Sequence, residues 1–336
     1  MSNIREVARR SGVSVATVSR ALKDPQMVSP RTRERVLKAV EEAGYRPNLL
    51  ARNFSSGKSY AVMVLVPNIA NPFFSRVIRG IEKAAQDQGY SVLLGDTKGD
   101  SSNEQFYAGM ALTNQADGVI QLGSRYPFAE KDANLAASVP LVNACERIVE
   151  DDRYPVVELD NHGAAQEVAR HLMKMGHRRI GVITGPSQSP IVRDRLSGFS
   201  EALKKRGLEL DPEMVVHGEF TMTSGQKGAE TLLSTHHRPT AIFCMNDEMA
   251  IGAVHQVKRM GLRVPEDVSV TGFDNIEFSQ FTDPPLTTIN QPAEELGRYA
   301  METLRLIIDG KPLKSSRTIL PFELVEREST GPCSYK

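Results

Sequence analysis

Several polar and aromatic side chains stand directly behind apolar runs. Asn71, Phe73 and Phe74, within NPFF, follow AVMVLVP. Asn246 follows IFC, Asp274 follows VTGF, Gln291 follows TTIN, and Phe220 follows a further apolar run. Arg195 stands just before LSGF. Together these types describe one chemistry. Flat phenyl faces suit the apolar face of a sugar or a base, and Asn71 can hydrogen-bond a hydroxyl. A carboxylate that accepts (Asp274) and a guanidinium that donates (Arg195) suit the vicinal hydroxyls of a furanose. Structural alternatives stand beside this reading: a Phe pair packed at a helix start, and an Asp that caps a helix. Ser124, Arg125 and Glu146 are further polar groups able to approach such a ligand, and Arg193 reads as a solvated charge.

Such residues need a frame that gathers strand ends. From Tyr60 onward, apolar runs alternate with amphipathic stretches: AVMVLV, SRVIRGIEKAAQDQG, YSVLLGD, FYAGMALTNQ, DGVIQLG. The series restarts after Gly176-His177 with RRIGVITG, DRLSGFSEALKKRG, TAIFC, MAIGAVHQVKRMG and DVSVTGFD. This alternation predicts two similar α/β lobes, each a parallel sheet covered by helices on both faces. Ligands in such folds bind beyond the carboxyl ends of strands, where the residues above stand.

The first sixty residues read differently. Asn3 caps a helix over 4–10, and Gly12 suits the left-handed position that ends it. Ser14 caps a second helix over 15–22, with Val15, Val18, Ala21 and Leu22 as its apolar stripe. Ser29-Pro30 opens a third helix over 30–43, with Val36, Leu37, Val40 and Ala43 on its apolar face. Two helices joined by a tight Gly turn and braced by a third form the helix-turn-helix pattern. Residues 48–56 read as a linker that orders on binding, since an isolated helix this short is unstable in water.

Charge separates the same two regions. The whole chain carries 41 basic and 41 acidic residues, a net charge of zero. Residues 1–60 hold twelve basic and five acidic side chains, so the head is +7 and the remainder −7. That asymmetry points the head at a polyanion. Hydrophobic residues at 40 % and charged residues at 24 % describe an ordinary globular chain. The three cysteines, Cys145, Cys244 and Cys333, are far apart, odd in number and without metal-ligand spacing, so neither a zinc site nor a disulfide framework is expected, and no cofactor is expected. MSNIREVARR has no apolar leader segment, and the longest apolar run is far too short for a bilayer. A cytoplasmic protein with no membrane partner is the expectation. The sequence lacks GxxxxGK[ST], HExxH and GxSxG, which lowers the standing of the common enzyme classes.

The segment VSVATVSRALKDPQMVSPRTRERVLKAVEEAGYRPN resembles the DNA-binding head of the LacI/GalR transcriptional repressors. The resemblance continues in order through NPFFSRVIRGIE, GHRRIGVITGP, DRLSGF, PTAIFCMNDEMAIG, GLRVPEDVSVTGFDN and PPLTTINQP. Within the family, LGSRYPF and FSQFTDPPLTTINQP are similar to nucleoside-responding members. The implied organisation is a helix-turn-helix domain over 1–46, a hinge helix and linker over 47–59, and a two-lobe effector and dimerisation domain over 60–330. The lobes fall roughly at 60–160 plus 292–320, and at 161–291 plus 321–330. The implied architecture is an all-α head with a periplasmic-binding-protein-like α/β body.

The resemblance also assigns roles. The second helix enters the major groove, with Val15, Ala16 and Arg20 at base-reading positions. Arg20 can donate two hydrogen bonds to a guanine, and Val15 and Ala16 offer apolar contact; Val15 as core and Arg20 as a solvated surface charge are the alternatives. Thr17, Ser19, Ser29, Thr32 and Asn48 are implied phosphate ligands. Ala51 and Arg52 would face the minor groove or a partner hinge. Phe54 stands at the wedge position, where much of the family has leucine. For the effector, Asn71, Phe73, Phe74, Arg195, Asn246, Asp274 and Gln291 retain the family's pentose-type residues, and Phe220 joins them. Ser189 and Ile191 replace the arginine and threonine of purine-type members, which disfavours a bare purine base. The implied function is a homodimeric repressor on double-stranded operator DNA, controlled by a nucleoside such as cytidine. Ribose or another sugar is the alternative effector, and an enzyme acting on nucleosides is the rival class.

Overall fold

The computed structural model describes residues 3–45, 57–148 and 153–334. It divides into two compact units, Met1–Ser59 and Tyr60–Lys336.

In the first unit, α1 (Ile4–Ser11) is capped by Asn3, whose Oδ1 accepts from the Glu6 amide at 3.0 Å. It ends at Gly12, with φ of 64°, a conformation that costs glycine nothing. The next helix, α2 (Val15–Lys23), is capped by Ser14 Oγ, which accepts from the Thr17 amide at 3.1 Å. The third, α3 (Pro30–Glu42), is capped by Ser29 with Pro30 at its first turn. Val7, Ala8, Val18, Ala21, Val36 and Ala39 form the core. Arg35 donates to the Ser11 carbonyl at 2.7 Å and so fastens α3 to the turn.

Two apolar stripes differ from the sequence pattern. Val15 is 40 % and Leu37 is 46 % exposed. At about 100° per residue, Val18 and Ala21 sit at the centre of the buried face of α2, and Val15 lies about 90° away. On α3 the centre falls between Val36 and Ala39, so Ala39 is buried and Leu37 lies about 130° away, on the solvent side. The third helix stops at Glu42, with Ala43 as its C-cap.

The second unit contains two parallel sheets. The first has six strands in the order β11-β5-β4-β3-β1-β2: β1 (Ala61–Val66), β2 (Ser91–Asp96), β3 (Val119–Gln121), β4 (Leu141–Ala144), β5 (Val156–Leu159) and β11 (Arg317–Leu320). Strand β1 is buried along its whole length and divides its side chains by parity. Val62, Val64 and Val66 pack with α4 (Pro72–Asp87) and with the late helix over Ala293–Ile308. Met63 and Leu65 pack on the other face with α5 (Ser101–Leu112). A short helix, α6 (Ala133–Ala136), precedes β4.

The second sheet has the order β7-β6-β8-β9: β6 (Ile180–Thr184), β7 (Val215–His217), β8 (Ala241–Cys244) and β9 (Ser269–Thr271). Helices α7 (Asn161–Lys174), α8 (Pro190–Lys204), α9 (Met222–Leu233) and α10 (Asp247–Arg259) surround it, and α11 (Ala293–Ile308) returns to the first sheet. Phe199 and Phe243 stack at its centre, ring centroids 5.1 Å apart. This lobe begins with α7, ahead of Gly176-His177, where the alternation in the sequence restarts. A two-stranded antiparallel ribbon pairs β10 (Thr288–Asn290) with β12 (Glu323–Val325). The chain passes between lobes after β5, after β10 and after β11. Past residue 330 it still holds the second lobe, where the Cys333 amide donates to the Met175 carbonyl at 2.8 Å.

Candidate functional site

The residues behind the strands converge on a cleft of about 430 Å³ between the lobes, a size ordinary for a small-molecule site. The first lobe contributes Asn71, Phe73 and Phe74 from the start of α4, and Lys98 after β2. It also contributes Cys145 and Glu146 after β4. The second lobe contributes Ile191 and Arg195 from α8, Glu219 and Phe220 after β7, Asn246 after β8 and Asp274 after β9. Gln291 lines the cleft from the crossover behind β10. Ser189 does not line it; its Oγ donates to Glu146 Oε2 at 3.4 Å. Arg125 is engaged elsewhere, with Nε donating to Glu104 Oε2 at 3.0 Å. Arg193 is exposed.

Asn71, Asn246, Arg195 and Asp274 are each fastened by a second group. Asn71 is the N-cap of α4, and its Oδ1 accepts from the Phe73 amide at 2.8 Å. That leaves Nδ2 to a ligand. Asn246 caps α10 in the same way, accepting from the Met249 amide at 2.9 Å while Nδ2 donates to the Phe220 carbonyl at 3.1 Å. Phe220 is thereby held at φ 56°, and its ring lies on Gly185, where a Cβ would sit 2.1 Å from Phe220 Cζ. A side chain at 185 would push the ring out of place. Phe73 and Phe74 meet edge to face, with centroids 5.4 Å apart; Phe73 is the buried member and Phe74 the more open one.

Arg195 is 3 % exposed. Its guanidinium lies 3.6 Å above the Phe273 ring, Nε donates to Asn161 Oδ1 at 2.8 Å, and Nη1 donates to the Met245 carbonyl. Burial lowers its pKa to about 10, with Asp274 and Glu146 opposing, so it stays charged at neutral pH. Asp274 accepts from Gln291 Nε2 at 2.6 Å. Burial pushes its carboxyl up to about 7, against the pull of Arg195 and the Gln291 hydrogen bond. Burial also raises Glu146, against hydrogen bonds from Ser124 and Ser189 and the charge of Arg195. Asp274 is not a helix cap; it sits at φ 115° in the turn behind β9.

That turn is set by Asp247, a residue whose positioning role the sequence pattern does not reveal. Asp247 is fully buried, accepting from the Ile276 amide at 2.8 Å and from Thr288 Oγ1 at 2.6 Å. Asn161 and Phe273 hold Arg195 from beneath and are likewise silent in the sequence. Behind the cleft, the neighbours of two lining residues join the lobes: Arg147 donates to Asp194 through two bonds of 2.7 and 3.0 Å.

In the head, Val15, Ala16, Ser19 and Arg20 are exposed on α2. Thr17 is half-buried, its Oγ1 2.9 Å from Ser14 Oγ, and Ser29 and Thr32 pair similarly at 3.0 Å. These hydroxyls serve the caps and keep further hydrogen-bonding capacity. Asn48, Ala51, Arg52 and Phe54 lie outside the described residues. Among the described residues, no group of His, Cys, Asp or Glu is placed to hold a metal ion. No described helix is long and apolar enough to cross a membrane.

A capped three-helix head and a two-lobe α/β body with a cleft at its strand ends define a helix-turn-helix DNA-binding regulator with a periplasmic-binding-protein-like body. Residues 3–48 match the bacterial regulatory proteins of the lacI family, and residues 169–330 match a periplasmic binding protein-like domain. The chain belongs to the LacI family, whose members regulate transcription and are not enzymes. It is closely related to the HTH-type transcriptional repressor CytR of Escherichia coli strain K12, with 44 % identity covering 98 % of this chain and 96 % of that protein. It is 34 % identical to the ribose operon repressor of Haemophilus influenzae, covering 98 % of both chains. Among solved structures, the lac repressor dimer bound to operator and an anti-inducer superposes with a TM-score of 0.86 at 29 % identity. That match covers 98 % of this chain and 99 % of the other. The chain is thus a DNA-binding repressor of the LacI and CytR type.

Proposed function

We propose that a ribose-containing small molecule, a nucleoside such as cytidine, controls operator binding by closing the cleft between the lobes. One observation carries this reading. Arg195 and Asp274 share a cleft whose aromatic lining comes from both lobes, with Phe73 and Phe74 opposite Phe220. Arginine and aspartate suit the hydroxyls of the sugar, and the phenyl rings suit a flat base. Charge argues against a phosphorylated ligand. The lining holds two cations, Lys98 and Arg195, against three carboxylates, Glu146, Glu219 and Asp274. The ribose operon repressor among the relatives favours a second reading, free ribose.

Two copies pair, each head taking one half-site of a near-palindrome, as two-fold symmetry requires. Arg20, Val15 and Ala16 read base edges; Thr17, Ser19, Ser29, Thr32 and Asn48 position the backbone; Ala51, Arg52 and Phe54 act at the hinge. Closure of the lobes changes the hinge population, and by linkage DNA alters effector affinity in return.

A thermal-shift screen of nucleosides, bases, pentoses and hexoses tests the effector. A true effector at roughly 100 times its Kd stabilises by ~2.7 kcal/mol. Stabilisation by nucleosides supports the reading; a response to hexoses alone overturns it.

A further inference from the structure

Charge joins the two lobes beside the cleft. Arg147 follows β4 in the first lobe, and Asp194 stands on α8 in the second. Guanidinium meets carboxylate fork to fork, Nη1 donating to Oδ2 at 2.7 Å and Nη2 to Oδ1 at 3.0 Å. A paired bond of this kind is stronger and more exacting than a single one. Arg147 is itself held from behind. Its Nη1 lies 3.4 Å from Glu158 Oε2 on β5, and Glu158 Oε1 accepts from Arg317 Nε on β11 at 2.6 Å. Glu158 is 1 % exposed, and a carboxylate so buried needs its cations. Two arginines and one carboxylate therefore belong to the first lobe, and Asp194 from the second makes the set neutral. Parting the lobes strips that negative charge away. Two other contacts across the lobes pair a charged group with a neutral one: Arg76 Nη1 donates to the Asn275 carbonyl at 3.0 Å, and Ser189 Oγ to Glu146 at 3.4 Å. A cavity of about 560 Å³ opens against Arg147, Glu158, Asp194 and Arg317, so dissolved ions reach the set.

We propose that Arg147 and Asp194 form a clasp that sets how far the cleft stands closed before a ligand arrives, so that ligand affinity depends on ionic strength even for an uncharged ligand. This rests on the reading above that an effector closes the lobes. Neither side chain lines the cleft, but each is next in sequence to one that does, Glu146 and Arg195. They are positioning residues, acting through the placement of those two walls. A ligand that needs the closed form binds with an affinity reduced by the fraction of molecules that are closed. Breaking the clasp lowers that fraction, and salt weakens an ion pair that solvent reaches.

Energy transfer between dyes on the two lobes of the full-length protein tests this. Lys131→Cys and Lys227→Cys carry the dyes in a Cys333→Ser background, and labelled chains are diluted with unlabelled ones. Between 0.1 and 1 M NaCl the Debye length falls from about 10 to about 3 Å, and transfer should fall with it. Asp194→Asn keeps the side chain's shape, removes its charge and leaves Glu158 with both arginines. It should show lower transfer at 0.1 M and little response to salt, and Asp194→Glu should restore the response. In isothermal titration at 0.1 M, Asp194→Asn should bind cytidine about 2- to 10-fold more weakly, the scale of one well-formed ion pair open to solvent. A purely structural Asp194 would shift the thermal midpoint and leave the salt response unchanged. Equal transfer and equal salt response in Asp194→Asn overturn the clasp, as does an unchanged cytidine affinity. If no nucleoside binds, the effector reading falls and the energy transfer alone decides the clasp.

Discussion

Arg20 on α2 stands in solvent, whereas Arg195 on α8 is 3 % exposed, bonded to Asn161 and laid on Phe273. The contrast extends to their surroundings. The head presents Val15, Ala16, Ser19 and Arg20 outward from a small core of Val, Ala and flanking aliphatics. The cleft holds its polar groups behind a second set of residues, Asp247, Asn161 and Phe273 among them. The head's exposed side chains carry little of the folding energy, and in the function proposed above they take their partners from DNA. The cleft's side chains are part of the folded core before any ligand arrives. Recognition and stability are therefore separable in the head and joined in the cleft.

The largest effect is expected at Arg195. Arg195→Ala removes a buried guanidinium, leaves Asn161 Oδ1 and the Met245 carbonyl without their donor, and takes a nearby positive charge from Asp274. Loss of about 3 kcal/mol in urea denaturation is expected, together with loss of effector binding. If stability stays within about 0.5 kcal/mol of the starting value, typical of a surface change, the joined character of the cleft is refuted. Arg20→Ala sharpens the other half. Its unfolding should move by less than about 0.5 kcal/mol, while operator affinity in a gel shift falls by about 1–3 kcal/mol. A variant that unfolds more easily but binds operator normally would assign Arg20 to the scaffold.

The third effect depends on pH. Burial raises Asp274 from 3.8 to about 7, so in that window the folded protein keeps a proton that the unfolded chain has released. Stability from this group therefore falls as pH rises through the window. Asp247 is raised by burial as well and acts in the same direction. His171 and His177 are lowered by burial and act oppositely, costing stability as pH falls below about 6.5. The informative quantity is thus a difference. Relative to Asp274→Asn, the unmodified protein should lose stability between pH 4 and 7 in parallel urea titrations, as follows from burial of the acid. Superimposable profiles would mean that Asp274 titrates as it does in water.

The position of the candidate residues behind strands is legible because strand ends are where α/β folds place ligands. Asn71, Asn246, Asp274 and Gln291 are legible that way, whereas Arg195 stands just before LSGF, inside α8. Asp247 was visible as an acid, but its partners Ile276 and Thr288 are distant in sequence, and only the fold joins them. Asn161 reaches Arg195 across 34 positions, again without a local signal. Val15 and Leu37 show the limit of periodicity: apolar residues suggest a stripe, but the packing decides its centre, which leaves Val15 about 90° and Leu37 about 130° away. Helix α7 leaves a faint signal in the sequence although Asp160 caps it, because small residues, Ala164, Ala165 and Ala169, make up much of its buried face.

The two asparagines of the cleft have a consequence for how such a protein changes its ligand. Asn71 and Asn246 each anchor the first turn of a long helix with the same amide group that faces the cleft. Replacing a cap of this kind with alanine costs about 1 kcal/mol, and only Asp, Ser, Thr and, to a degree, Gly substitute well. A drift toward a new effector at these positions must pass through that short set of side chains. The alphabet available for new specificities is limited there by the helices, while Ile191 and Glu146, which cap nothing, are free to vary.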